Sequence, residues 1–224
     1  MRPGDEVNGV FACTRKDRLT ARTGTPYLAL ELRDRTGAIP ARAFRDLDEL
    51  DGFLEHLAGE VRDPPFAALL ADLLGDRAVR SALRRTPCTR AGHHAYLGGL
   101  LEHTVAVSTL ALETCTLHPR LDQNLLLTAA IVHDIGKTRE FTLGAEIGLT
   151  AEGRLLGHVE LGLRILDERG APLDEPRSLA LAHCVLTHHG DRRPATPEAL
   201  ALQRLNAIDA AVKGALEHGM PTGP

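Results

Sequence analysis

Residues 125–141 read LLLTAAIVHDIGKTREF. The stretch Leu125–Val132 is uncharged and reads as an apolar helix that ends on His133 and Asp134, with Gly136 just beyond as its stop. Imidazole and carboxylate therefore emerge together where the helix stops. A neutral imidazole nitrogen and a carboxylate oxygen form a mixed ligand set suited to Mn, Fe, Co, Ni or Zn. Taken alone, a His-Asp pair is also what an ordinary solvated helix end can carry, so its meaning depends on what surrounds it.

Working outward, nine of the eleven histidines lie between residues 93 and 189. Helices are expected over about 97–117, 121–135, 157–169, 175–189 and 197–217, with a Gly-rich loop or small hairpin between Thr138 and Arg154. His103, His158 and the pair His188-His189 then fall on different helices, at or near their ends. Helix ends converge on one side of a bundle, so such residues can meet at one centre. Two ions sharing a carboxylate sit about 3.5 to 4 Å apart and need about this number of ligands. His183, five residues before His188, points to another face and is expected to pack or hydrogen-bond.

Ahead of this region the pattern changes. VNGVFACT and YLALELRDRTGAIPARAF alternate apolar and polar residues with period two, which predicts strands over residues 7 to about 45 with a hairpin turn at 35–37. Residues 1–46 carry nine basic and six acidic side chains. From Leu47 the period becomes helical: 47–59 before Gly59, then Pro64 to Gly75, then DRAVRSALRR with Arg84 and Arg85. The expected division is 1–46 strands, 47–92 helical connector, 93–218 helical domain and 219–224 a disordered tail.

Composition bounds the function. A net charge of −4 excludes a uniformly basic nucleic-acid coat, although not a local basic site. No apolar run approaches the roughly 18 to 20 residues that cross a bilayer, and MRPGDEVNGV lacks the apolar centre of a signal peptide. A cytoplasmic protein with no membrane partner is expected. Cys13, Cys88, Cys115 and Cys184 have no zinc-knuckle or CxxC spacing and read as free, mostly buried thiols. With 23 Arg against three Lys, a lysine inside a motif such as Lys137 is informative.

HHAYLGGLLEHT (93–104), HDIGKTREF (133–141), TAEGRLLGH (150–158) and LAHCVLTHHG (181–190) resemble, in order and spacing, the HD-domain part of the YhaM family of 3′-5′ exoribonucleases. That resemblance implies a mainly α fold, a helical HD domain preceded by an OB-like β segment. It implies metal-dependent phosphohydrolysis. It also implies that His103, His133 and Asp134 hold one ion, with Asp134 bridging to a second held by His158 and by His188 or His189. Asp134 and Lys137 become the catalytic residues, Lys137 facing the substrate phosphate. His93, His94 and Tyr96 are candidates for the substrate groove, and Arg84 and Arg85 for steering a polyanion.

Two departures stand out. Where the family reads ADxLDA in the last helix, this chain has LNAIDA, so the aligned ligand is Asn206, an amide without charge; Asp209, roughly 60° further around the helix, is the alternative. An OB-fold has five strands, and only about three strand-like runs precede Leu47. Such an open sheet has edges to cover, by docking on the helical domain or by homo-oligomerisation. The resulting expectation is a metal-dependent 3′-5′ exonuclease on single-stranded RNA, or DNA, using two divalent ions, Mn first among Co, Ni, Fe, Mg and Zn. The alternatives are an HD-type nucleotide phosphohydrolase and a non-catalytic nucleic-acid or nucleotide-binding protein with a degraded metal site.

Overall fold

The computed structural model describes residues 12–20, 26–33, 37–44, 47–143, 147–169 and 173–219. The expected strand residues 7–11, turn residues 35 and 36, and the tail from 220 lie outside them. The fold is mainly α. Strands β1 (Ala12–Thr20), β2 (Pro26–Arg33) and β3 (Ala38–Phe44) form an antiparallel meander in the order β1-β2-β3. Leu30 pairs with Lys16 on one side and Ala41 on the other, and the β1 register shifts between Cys13 and Arg15. Among the described residues this sheet has three strands.

Helices α1 (Leu47–Gly59), α2 (Pro64–Gly75) and α3 (Arg77–Arg85) follow the sequence punctuation closely. Asp63 accepts from the Phe66 amide at the start of α2, and Asp76 accepts from Ala78 and Val79 at the start of α3. These are the donors that a helix start leaves without partners. The helical core is then built by α4 (Gly99–Leu117), α5 (Gln123–Val132), α8 (Glu175–Thr187) and α9 (Pro197–His218). Every residue from Leu125 to Val132 is buried. Helix α5 is therefore surrounded, touching α1, α2, α4, α8 and α9, which is what apolar residues on all its faces require. Asp122, Asp174 and Thr196 cap α5, α8 and α9.

The stretch after α5 differs most from expectation. The helix stops at Val132 rather than 135, and a turn leads into a single helical turn, α6 (Lys137–Glu140). The small hairpin that the sequence allowed between Thr138 and Arg154 follows, β4 (Phe141–Leu143) paired with β5 (Ile147–Leu149). Helix α7 (Ala151–Arg169) starts six residues earlier than expected, because the Thr150 hydroxyl accepts from the Gly153 amide at 2.8 Å. The expected start at 157 coincides with a break instead: Gly157 has φ +73°, which L side chains rarely adopt. Glu140 Oε1 takes the His158 amide at 3.2 Å, serving a donor that the kink would otherwise leave open. Gly136 allows α6 and α7 to meet: a Cβ there would lie 1.9 Å from the His158 carbonyl oxygen.

Candidate metal centre

Five helices deliver their side chains to one point. Helix α4 brings His103, the end of α5 His133 and Asp134, the restart of α7 His158, the end of α8 His188 and His189, and α9 Asn206 and Asp209. Asp134 is at the middle and almost fully buried. Its Oδ2 lies 3.5 Å from His103 Nε2 and 3.4 Å from His133 Nε2; its Oδ1 lies 3.5 Å from both His158 Nε2 and His188 Nε2. The two histidines at the Oδ2 pole are 3.2 Å apart at Nε2, and at the Oδ1 pole His158 and His189 are 2.7 Å apart at Nε2.

These separations can be tested against a cation. With metal–ligand bonds of 2.0 to 2.2 Å, the edge of a tetrahedral nitrogen and oxygen set is about 3.4 Å. The Asp134–histidine distances match that edge. Asp134 Oδ1 and His188 Nε2 are buried and have no hydrogen-bond partner among the described residues, a costly condition for polar atoms unless something else satisfies them. His133 and His188 donate through Nδ1 to the Ala130 and Val185 carbonyls, at 2.8 and 2.6 Å. Those bonds leave the Nε2 lone pairs turned toward Asp134, the tautomer a metal ligand needs. The residues present fit a divalent ion at each pole.

A further set of side chains holds these groups in place. Asp209 Oδ2 accepts from His103 Nδ1 at 2.6 Å and lies 3.1 Å from His94 Nε2. It thus sits behind His103, on the ring nitrogen opposite the one facing Asp134, as an orienting carboxylate rather than a replacement ligand. Glu140 Oε1 lies 3.3 Å from His158 Nδ1 and plays the corresponding part there. His94 Nδ1 is 3.0 Å from the Tyr96 hydroxyl, which donates to Glu102 Oε2; Glu102 Oε1 in turn accepts from Lys213. Asn206 donates its amide to the His188 carbonyl at 3.3 Å.

Lys137 is buried, and its ammonium donates to Asp134 Oδ2 at 2.6 Å and to Cys88 Sγ at 3.4 Å. Burial alone would raise the Asp134 carboxyl, but the charge of Lys137 and the contacts with His133 outweigh it and hold the group well below the usual carboxylate range. Burial works against the Lys137 ammonium too, and Asp134 reverses it, so its pKa is raised. Burial depresses the half-buried His93 to about 4, and desolvation of the ring among its neighbours depresses His189 to about 3 although the residue as a whole is exposed; burial pushes the Cys88 thiol up to about 12.

A cavity of about 430 Å³ opens on this centre, lined in part by Cys88, Arg90, His93, Lys137, His158, His189 and Asn206. Of the side chains expected to meet substrate, His93 and Lys137 line it. His94 is buried against Asp209, and Tyr96 is engaged by His94 and Glu102. Arg84 is held by Asp48 and Asp51 of α1, and neither it nor the exposed Arg85 belongs to the lining. Arg90 takes that position, its Nε donating to the Ile147 carbonyl at 3.3 Å. His183 accepts from the Ala195 amide, the structural part expected of it. Cys88, Cys115 and Cys184 are free and buried. Arg90 ends the arginine run 77–90 that the sequence offers for steering a polyanion; sequence reasoning missed Glu140, whose one signal was an acid inside the HDIGKTREF block.

Residues 100–211 match the family model of the HD domain. The chain is 29% identical over 191 residues to the 3′-5′ exoribonuclease YhaM of Shouchella clausii, covering 82% of this chain and 58% of that protein. It is 33% identical over 132 residues to the YhaM of Bacillus subtilis, covering 55% of this chain and 42% of the relative. With the YhaM of Oceanobacillus iheyensis it shares 26% identity over a 271-residue alignment covering 92% and 84%. The chain thus spans less than two thirds of the length of the first two relatives. No solved structure matches, and no described helix is long and apolar enough to cross a membrane. By the match over half its length, centred on a buried aspartate ringed by histidines, the chain belongs to the HD domain family.

Proposed function

We propose that this protein is a cytoplasmic metal-dependent phosphodiesterase that shortens single-stranded RNA from its 3′ end, with two divalent ions, Mn foremost. The observation that carries the reading is the division of Asp134: one oxygen faces His103 and His133, the other faces His158 and His188. The names of the relatives, all 3′-5′ exoribonucleases, supply the reaction and the polymer.

His103, His133 and Asp134 would hold one ion and Asp134, His158, His188 and His189 the other. The ions, when bound, supply Lewis acidity and a water of lowered pKa. The chain's own groups do the rest. Lys137 is the buried cation that meets a phosphate oxygen, and Arg90 offers a second positive contact at the cavity wall. Glu140 and Asp209 keep the imidazoles of His158 and His103 in one orientation, so that no reorganisation is needed as charge develops on the phosphate. The burial of Asp134 and its neighbours keeps bulk water away from these contacts, which strengthens each of them.

The test is metal analysis of the purified protein beside degradation of a 5′-labelled single-stranded RNA with Mn. Stepwise shortening is expected, with His133→Ala and Asp134→Ala losing both metal and hydrolysis while keeping helical content. Hydrolysis of mononucleotides but not of RNA would favour the nucleotide phosphohydrolase. Full activity of either variant at unchanged metal content would remove this centre from the reaction.

A further inference from the structure

The two poles of Asp134 are unequal. The Oδ1 pole gathers four ligand groups, Asp134, His158, His188 and His189; the Oδ2 pole gathers three, His103, His133 and Asp134. Helix α9 does not supply the missing one as a carboxylate. Asp209 is committed to the far nitrogen of His103, and Asn206 gives its amide to the His188 carbonyl. What stands beside the poorer pole is Cys88, whose Sγ lies 3.8 Å from Asp134 Oδ2 and 3.6 Å from His93 Nε2. Ligand atoms of Cys88, His93 and His103 also lie within 4.8 Å of one another.

We infer that Cys88 is a thiolate ligand of the ion at the His103–His133–Asp134 pole, making this a mixed centre with a sulfur-bearing pole that takes Zn or Co and a nitrogen–oxygen pole that takes Mn. The inference rests on the metal-centre reading above. Three observations carry it. First, with Zn–S near 2.3 Å and Zn–O near 2.1 Å, a tetrahedral edge from sulfur to oxygen is about 3.6 Å, and Cys88 Sγ lies 3.8 Å from Asp134 Oδ2. Second, a cation already bridges these atoms: the Lys137 ammonium touches Cys88 Sγ and Asp134 Oδ2 together. An ion entering there displaces the ammonium into the cavity that Lys137 lines, the direction in which it would meet a phosphate. Third, Cys88 is held in place before any ion arrives. Its amide donates to the His94 carbonyl at 3.0 Å, and the Thr89 hydroxyl bonds the His93 carbonyl at 2.8 Å and the Gly92 amide at 2.9 Å.

Binding exchanges the Cys88 S–H bond for a sulfur–metal bond, the proton passing to solvent, with no change of oxidation state. A thiolate among two imidazoles and a carboxylate moves the preference toward Zn and Co, whereas oxygen-rich sets suit Mn. His93 is then a flanking imidazole.

Substitution with Co(II) tests this on the intact protein. Wild type loaded with Co(II) is expected to show a sulfur-to-cobalt charge-transfer band in the near ultraviolet; Cys88→Ser should lose that band while keeping the visible cobalt transitions. The same variant should bind Zn at this pole about 10- to 100-fold more weakly, at least the loss that outer ligand partners alone cause, with Mn affinity at the other pole unchanged. Stoichiometric cobalt binding to wild type without a charge-transfer band, or a band that persists in Cys88→Ser, overturns the assignment and leaves the metal centre standing. Failure of wild type to bind cobalt, zinc or manganese at all instead removes the centre, and with it the proposed function.

Discussion

Asp209→Asn isolates the outer layer of the centre. In the native protein a single carboxylate oxygen serves two imidazoles, His103 Nδ1 at 2.6 Å and His94 Nε2 at 3.1 Å. Burial would raise this carboxyl, yet the hydrogen bonds from His103 and His94 hold it well below the ordinary range, so it is an anion at every working pH. Asparagine retains an oxygen in the same place but no charge, so it can orient His103 without raising the basicity of its Nε2. Changes of this kind cost about 10- to 100-fold in metal affinity, or about 1.4 to 2.8 kcal/mol. Asp209 contacts His103 and not the residues of the Oδ1 pole, so the loss belongs to one binding step. Isothermal titration of metal-free protein with Mn and with Zn should show one step weakened by this factor and the other unchanged. Asp209→Ala should in addition lower Tm, since two buried imidazole N–H groups lose their acceptor at about 1 to 3 kcal/mol each. Equal weakening of both steps, or of neither, would refute the orienting role.

Further outcomes follow from the same structure. Gly136→Ala places a Cβ 1.9 Å from the His158 carbonyl oxygen and 2.4 Å from the Gly162 amide; it should destabilise the protein by about 1 to 3 kcal/mol and weaken the Oδ1 pole, measured by thermal melting with and without Mn. Desolvation depresses His93 to about 4 and His189 to about 3, against about 6.5 in an unfolded chain. The unfolded state therefore binds more protons between these values, and the Tm of metal-free protein should fall as pH drops from about 6.5 to 4; a flat Tm over that window would contradict the neutral imidazoles. Because Lys137 already neutralises Asp134 Oδ2 while Oδ1 has no hydrogen-bond partner among the described residues, the Oδ1 pole should fill first in a Mn titration, and Lys137→Met should tighten the later step. Deleting residues 1–46, with their nine basic side chains, should weaken binding of long RNA and flatten its salt dependence more than it slows cleavage of a small phosphodiester.

The helices were legible where local chemistry decides them. Pro64 and Gly75 bound α2 as the sequence indicates, and Thr196-Pro197 open α9, because caps and breakers act within one turn of themselves. The segment from 133 to 158 was legible only in outline, as a loop or small hairpin, since it is built from pieces shorter than the period that would reveal them: a four-residue helix, two three-residue strands and a helix broken at Gly157. What fixes these pieces is tertiary. The Thr150 amide donates to the Glu140 carbonyl, and the Glu140 side chain takes both the amide and the ring nitrogen of His158.

The centre divides along the same line. His103, His133, Asp134, His158, His188 and His189 could be singled out because each stands in a block of sequence with its own pattern, and the structure brings the five imidazoles around the Asp134 carboxylate. The side chains that hold them belong to no local pattern. Asp209 is 106 residues from His103 and Glu140 is 18 from His158, and a carboxylate on a helix face reads as solvated until the opposite helix is known. Asp209 was visible only as a spare ligand three residues beyond Asn206; its position behind His103 gives it the opposite task. Cys88 went furthest unread, because metal-binding cysteines are recognised in sequence by close pairs, and here the partners of the sulfur come from a histidine five residues on, an aspartate 46 residues on and a lysine 49 residues on. An uncharged Asn206 and a thiol at the poorer pole are therefore one feature: the charge absent from the last helix can be supplied by sulfur from the loop before α4, and the metal preference of the centre shifts with it.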